Sequence, residues 1–413
     1  APATCALAFS DQGDLRVLAI GHKLRIEEVE TYDTWRASIT GRFEREIAPC
    51  LSRDRPNLVV YPEDMVLHAA LIGSRGTMAR QAESALDAFY TFFQTYEVPL
   101  QFYRNREGGL PGGRQVLLGV TDTVWRALGV FSELAAAHGA WVLASGNVAD
   151  AALTDDAAAM AALADPDLPP GPVWLAQGAD VPNQAILWAP DGAIVTRRRK
   201  VYLTPPEIDL LNMSWGPPEA LTPIETPFGK IGVVISKDAW MPDVLDRLAI
   251  QGADLMVQPE AFTGWGAAPD VGAIDEEWLP DVFKESSWSH VQKYAELRAN
   301  ATPVYVGNLF DFVFDGQAHI VKDAQPDDAP MGFIGQEPDV GFAAIGPWVA
   351  TDAETRTELR AVGESLLPGG ARAGEYGESL VGADVTLRGF PVEAFAESDG
   401  SVEAEGCVAR PRI

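Results

Sequence analysis

Short apolar runs alternate with amphipathic stretches over most of this chain, the pattern of an α/β fold. "LRVLAIGHKL" (residues 15–24) predicts a first strand. "TWRASITGRFEREIAPCL" then repeats apolar residues at helical spacing, and "PNLVVYPED" predicts a second strand that ends at Glu63. "RALGVFSELAAAHG" predicts a helix closed by Gly139, followed by the strand "AWVLASGN". "NQAILWAPDGAIVTRRRK" predicts a hairpin turning at Pro190-Asp191-Gly192. "GKIGVVISKDAWMPDV" reads as a strand running into a helix, with Ser236-Lys237-Asp238 between them, Pro242 in the first helical turn and Gly252 at its end. "DLMVQPEAF" and "TPVYVGNLF" predict two more strands.

Three stretches break this rhythm. Residues 66 to about 120 hold an extra helix with Leu86, Phe89, Phe93 and Tyr96 at helical spacing, then the Gly-rich "REGGLPGG". Residues 149–182 are rich in Ala, Asp and Pro and predict an exposed loop. Residues 262–290 carry Trp265, Trp278 and Trp288 among acids and predict a surface excursion. With a tail at 388–413, the chain is expected to form one domain bearing these insertions.

Acidic residues outnumber basic ones 59 to 31, a net charge of −28. That balance argues against nucleic acid and anionic membrane surfaces as partners, because both select a positive footprint. The chain starts "APATCALA", as a mature protein would after signal cleavage, and as a trimmed recombinant chain also would. The expectation is an extracytoplasmic protein. Of the three cysteines, Cys50 continues the apolar face of Ile39, Phe43 and Ile47 and is expected as a buried free thiol. Cys5 and Cys407 are candidates for a bridge.

No G-x-S-x-G elbow, H-E-x-x-H motif or Cys/His spacing suited to zinc is present. Three polar residues stand instead, in order, at the ends of apolar strands. Glu63 closes "LVVYPE", Lys200 closes "AIVTRRRK" ahead of Glu207, and Ser236 closes "IGVVIS". A carboxylate, an ammonium and a hydroxyl converging there would supply a base, an oxyanion stabiliser and a nucleophile. Each alone has an ordinary reading. Pro-Glu recurs at 206–207, 218–219 and 259–260, a lysine after three arginines suits a solvated strand end, and a strand-end serine is usually a turn former.

Together with their flanks, the three motifs resemble those of the nitrilase superfamily of carbon–nitrogen hydrolases, which use a Glu-Lys-Cys triad. "PNLVVYPED" is similar to the glutamate motif, "RRRKVYLTPPE" to the lysine motif and "IGVVISKDAWMPDV" to the nucleophile motif. "ADLMVQPEAFTGW", "ATPVYVGNLF" and the C-terminal strand "ESLVGADVTL" also match. The resemblance implies a four-layer α-β-β-α sandwich, a small-molecule amide, nitrile or N-carbamoyl substrate, no metal or organic cofactor, and a homodimer or higher homo-oligomer. It implies Glu63 as base, Lys200 and the backbone N–H of Lys237 as oxyanion stabilisers, Glu207 as accessory glutamate, and Trp240 and Asn308 as substrate contacts.

The departure falls at position 236, where the family has cysteine and this chain has serine. A thiol of pKa about 8.5 can yield its proton to a carboxylate of raised pKa, whereas a serine hydroxyl usually needs an imidazole. The chain as written is therefore expected to be nearly inactive as a hydrolase. Ser236 is then either a replacement that holds substrate without turnover or the natural residue of a ligand-binding relative. An acyltransferase of the same superfamily is a third reading. The intact Glu63, Lys200 and Glu207 favour the replacement.

Overall fold

The computed structural model describes residues 4–10, 13–262, 264–265 and 278–387. In chain order its strands are β1 (Leu15–Lys23), β2 (Asn57–Val60), β3 (Trp141–Asn147), β4 (Ala151–Thr154), β5 (Val173–Ala176), β6 (Asn183–Trp188), β7 (Ile194–Arg199) and β8 (Ile224–Thr226). There follow β9 (Gly229–Val233), β10 (Leu255–Val257), β11 (Ala299–Thr302), β12 (Val304–Leu309), β13 (Phe312–Phe314), β14 (His319–Lys322), β15 (Phe342–Ile345) and β16 (Ser379–Val385). One sheet runs β13-β12-β1-β2-β3-β6-β7, with β16 antiparallel along β1. A second runs β15-β14-β11-β10-β9-β8.

Side-chain alternation along the strands produces the layers. From the first sheet, Leu15, Val17, Ala19, Leu58 and Val60 share one core with Ile231, Val233, Leu255 and Val257 of the second. The intervening residues Leu18, Ile20, Val59 and Val142 face the other way, onto Trp35 and Ile39 of the helix Tyr32–Arg42 and Leu128 and Phe131 of the helix Thr121–His138. On the far side of the second sheet, Met256 packs with Val244, Leu245 and Leu248 of the helix Pro242–Ile250. The order is helix, sheet, sheet, helix, as the sequence motifs implied.

Several expectations need correction. Residues 149–182 are not an exposed loop: β4 and β5 form a hairpin, and a helix spans Ala157–Leu163. Ala149, Ala159, Leu163, Val173 and Val181 are buried in a satellite core with Tyr103 and Leu118. Its small side chains gave the stretch a low-complexity look while allowing close packing. The extra helix at Ala85–Thr95 turns Ala88 and Phe92 inward, in line with Tyr96 beyond its end, so Leu86 is exposed and Phe89 and Phe93 are half-buried. Trp265 and Trp278 join the core between the sheets and are not on a surface excursion; residues 263 and 266–277 lie outside the described residues.

Cys50 is not a free thiol but is bonded to Cys5, whose Cα lies 4.8 Å away. The segment around Cys5 lays Leu7 and Phe9 against the core that holds Cys50, which brings the two sulfurs together. Cys5 is therefore unavailable to Cys407, which lies outside the described residues together with the rest of 388–413.

Candidate active site

Glu63 lies three residues past β2, where the chain has left the ladder and Asp64 takes a left-handed φ of 55°. Lys200 directly follows β7, and its backbone N–H donates to the Asn183 carbonyl on β6 (2.8 Å). Glu207 belongs to the short helix Pro205–Asp209, where it also closes a capping box by accepting from Thr204 N (2.7 Å). These local devices bring three charged side chains into the interior.

Lys200 Nζ donates to Glu63 Oε1 (2.8 Å) and to Glu207 Oε1 (3.1 Å). Asn183 Nδ2 donates to the same two oxygens, at 2.7 and 2.9 Å. The other oxygen of Glu63 accepts from Ala261 N (3.2 Å). Lys200 is 2% exposed and Glu63 3%. Burial would lower the Lys200 ammonium, but the charges of Glu63 and Glu207 outweigh it and hold its pKa above the ordinary value. Burial raises the Glu63 carboxyl above the usual range against the pull of Lys200, with the Glu207 charge adding to the rise. Burial acts on Glu207 too, yet Lys200 and the hydrogen bonds from Asn183 and Thr204 bring it below the usual range. The two carboxyls are thus driven apart, leaving Glu63 the better proton acceptor near neutral pH.

Ser236 stands two residues beyond Val234, whose N–H donates to the Val257 carbonyl, and its own N–H donates to the Pro259 carbonyl (3.0 Å). It is 3% exposed and its φ is 47°, a left-handed conformation that costs a non-glycine residue about 1 kcal/mol or more. The turn is tied to the lysine loop. The Asp238 carboxylate accepts from Val201 N and Tyr202 N, and Lys237 Nζ donates to the Leu203 carbonyl (3.2 Å). Of the remaining expected residues, Trp240 is half-buried, edge-on to Phe262 and Phe283. Asn308 donates to the Leu366 carbonyl (3.0 Å), a contact that fastens β12 to the helix Arg356–Leu366.

Two residues were missed by the sequence reading. Asn183, a polar side chain at the first position of a fully buried strand, joins the two carboxylates. Glu260 was passed over as one of several Pro-Glu pairs, although it follows the buried run "LMVQ". It is 1% exposed, accepts from Gln258 Nε2 (2.8 Å), and leaves Oε2 buried without a hydrogen bond of normal geometry. The Ser236 side chain lies close enough to act on this carboxyl.

Two facing sheets with helices outside thus carry a buried Glu-Lys-Glu cluster beside a left-handed strand-end turn. Residues 151–306 match the family model described as carbon-nitrogen hydrolase. The omega-amidase NIT3 of Saccharomyces cerevisiae is 34% identical over 87 residues, 19% of this chain and 29% of that protein, so the match spans under a third of the relative. Among solved structures, Saccharomyces cerevisiae Nit3, a member of branch 10 of the nitrilase superfamily, is 16% identical with a TM-score of 0.44, covering 95% of this chain and 96% of its own. A carbon-nitrogen hydrolase from Helicobacter pylori G27 gives 15% identity and a TM-score of 0.43, over 75% of this chain and 82% of its own. The likeness to the carbon-nitrogen hydrolase family thus rests on residues 151–306.

Proposed function

We infer that this chain carries a carbon–nitrogen hydrolase site for a small amide-type substrate, with serine standing at the nucleophile position. The observation that carries this reading is Lys200, buried between Glu63 and Glu207 and tied through Asp238 to the turn that presents Ser236. Lys200 Nζ lies within 3.1 Å of Glu63 Oε1 and of both Glu207 oxygens, and the ammonium held there would meet charge developing on a substrate oxygen or nitrogen.

With cysteine at 236, Glu63 would take the thiol proton and the sulfur would attack the amide or nitrile carbon. Lys200 and the Lys237 backbone N–H would hold the developing negative charge. For an amide, the C–N bond would then break, the amine leaving with the proton that Glu63 had received, and a thioester would remain. Water, deprotonated by Glu63, would attack the thioester carbon and release the acid and the thiol. Glu207 and Asn183 would keep Lys200 and Glu63 in register. With serine the first proton transfer is the obstacle, because Glu63 is far too weak a base for a hydroxyl. The chain as it stands would bind substrate and turn it over poorly. The Cys5–Cys50 bridge fits an oxidising compartment. A homodimer or higher oligomer belongs to the same reading.

A second reading, a ligand-binding relative in which serine is natural, draws support from Glu260. A second buried carboxyl near position 236 suits a hydroxyl, which can accept from its acid form and donate to its carboxylate form. Conversion of Ser236→Cys followed by assay against amides, nitriles and N-carbamoyl compounds separates the two. Turnover that arises only with cysteine supports the first reading, and a folded, inactive variant supports the second.

A further inference from the structure

Glu260 is held by a chain of buried, uncharged groups. Gln258 Nε2 donates to its Oε1 at 2.8 Å and also to Ser286 Oγ at 3.1 Å. Asn300 Nδ2 donates to Gln258 Oε1 (3.0 Å), and Thr302 Oγ1 donates to Asn300 Oδ1 (2.8 Å). Gln258, Ser286, Asn300 and Thr302 are each at most 1% exposed. The run from β11 through β10 to Glu260 has no charge and no outlet to solvent, and it fixes the orientation of the carboxyl. Only Oε2 is left over, buried and without a hydrogen-bond partner. The backbone fastens the two residues together, since Ser236 N donates to the carbonyl of Pro259, the residue before Glu260.

We propose that Glu260 is a positioning residue for Ser236: as a carboxylic acid it donates its Oε2 proton to Ser236 Oγ, and as a carboxylate it accepts the Ser236 O–H. In the first state the serine hydroxyl keeps its own proton for Glu63 or a bound ligand, and one of its lone pairs is occupied. In the second the lone pairs are freed and the oxygen becomes the better nucleophile. The charged groups that reach Glu260 are Glu63, past β2, and Lys200, past β7; β10, β11 and the helical turn at Lys284–Ser289 face it with Gln258, Asn300 and Ser286. Burial first, and then the Glu63 charge, push its pKa up to about 8, with Gln258, Ser236 and Lys200 opposing, so the acid form prevails at neutral pH.

The proposal concerns a proton and not turnover, so a chain without hydrolase activity still decides it. Infrared pH-difference spectra of the full chain should contain a carboxylic-acid C=O band that persists at about pH 6.5 and is lost between about pH 7 and about pH 9. Glu260→Gln should remove the band, and Ser236→Ala should move both its frequency and its midpoint, the latter upward. Labelling of Ser236 by a fluorophosphonate should rise roughly tenfold over the same interval in the unchanged chain beyond the rise in Glu260→Gln. A spectrum without this band at about pH 6.5, a band indifferent to Ser236→Ala, or equal labelling profiles with Glu and Gln at 260 would overturn the assignment. If Glu260→Gln does not melt cooperatively, the Ser236→Ala spectra decide alone.

Discussion

The Asp238 carboxylate accepts the backbone N–H of Val201 through both of its oxygens, each at 3.1 Å. Asp238 is two residues past Ser236 and Val201 is the residue after Lys200, so this contact ties the Ser236 turn to the lysine. Tyr202 N donates to the same carboxylate at 2.8 Å. Replacing Asp238→Ala would strand two backbone donors, at about 1–3 kcal/mol for each that is buried. Urea unfolding should show a loss of about 3 kcal/mol, and the Ser236→Cys chain should lose its turnover in this background. Unchanged turnover would show that the tie does not position the site.

Lys200 neutralises two buried carboxylates, so Lys200→Met should destabilise in a pH-dependent way. Without the ammonium both carboxyls take raised folded pKa values, and a carboxyl whose folded pKa is raised costs stability as pH climbs past its unfolded value near 4.5. The loss should be slight at about pH 4.5 and about 3–5 kcal/mol at about pH 8. A loss that is the same at both would mean that the carboxylates are compensated elsewhere.

For Glu260 the same sign can be tested against one residue. Its folded pKa is raised from 4.5 to about 8, so the folded chain holds a proton that the unfolded chain has given up. Stability should fall as pH rises through that window, and Glu260→Gln should flatten the Tm profile between those limits. Parallel profiles for the two chains would contradict a raised Glu260.

The Cys5–Cys50 bridge closes a sequence separation of 45 residues, for which loop entropy predicts about 4 kcal/mol and practice often less. Cys50→Ser should lower stability by about 2–4 kcal/mol in denaturant unfolding, and a peptide map without reductant should recover the two cysteines linked. Recovery of Cys5 joined to Cys407 would contradict the pairing.

What the sequence made legible was local: a Glu, a Lys and a Ser each at the end of an apolar run, with flanks that kept their order. The strand pattern around them also carried the α/β class, because buried strands and their connecting helices have distinct periods, while the two-sheet arrangement came only with the resemblance. What escaped was of two kinds. Asn183 and Glu260 are single polar side chains whose partners lie on other strands, and no spacing along the chain announces such a meeting. Residues 149–182 misled because alanine is as common in loose polar segments as in tight helix packing, and only the contact with Tyr103 and Leu118 tells them apart. The Cys5–Cys50 pair was hidden by the helical face that made Cys50 look like an ordinary core residue.

The most direct test is the Ser236→Cys chain incubated with a panel of simple amides, nitriles and N-carbamoyl compounds, with turnover followed alongside intact mass. The account predicts release of ammonia or amine from at least one class, an acyl adduct on the introduced thiol, and loss of both on Glu63→Gln or Lys200→Met. A folded cysteine variant that neither acquires an adduct nor releases product from any class would contradict the hydrolase reading.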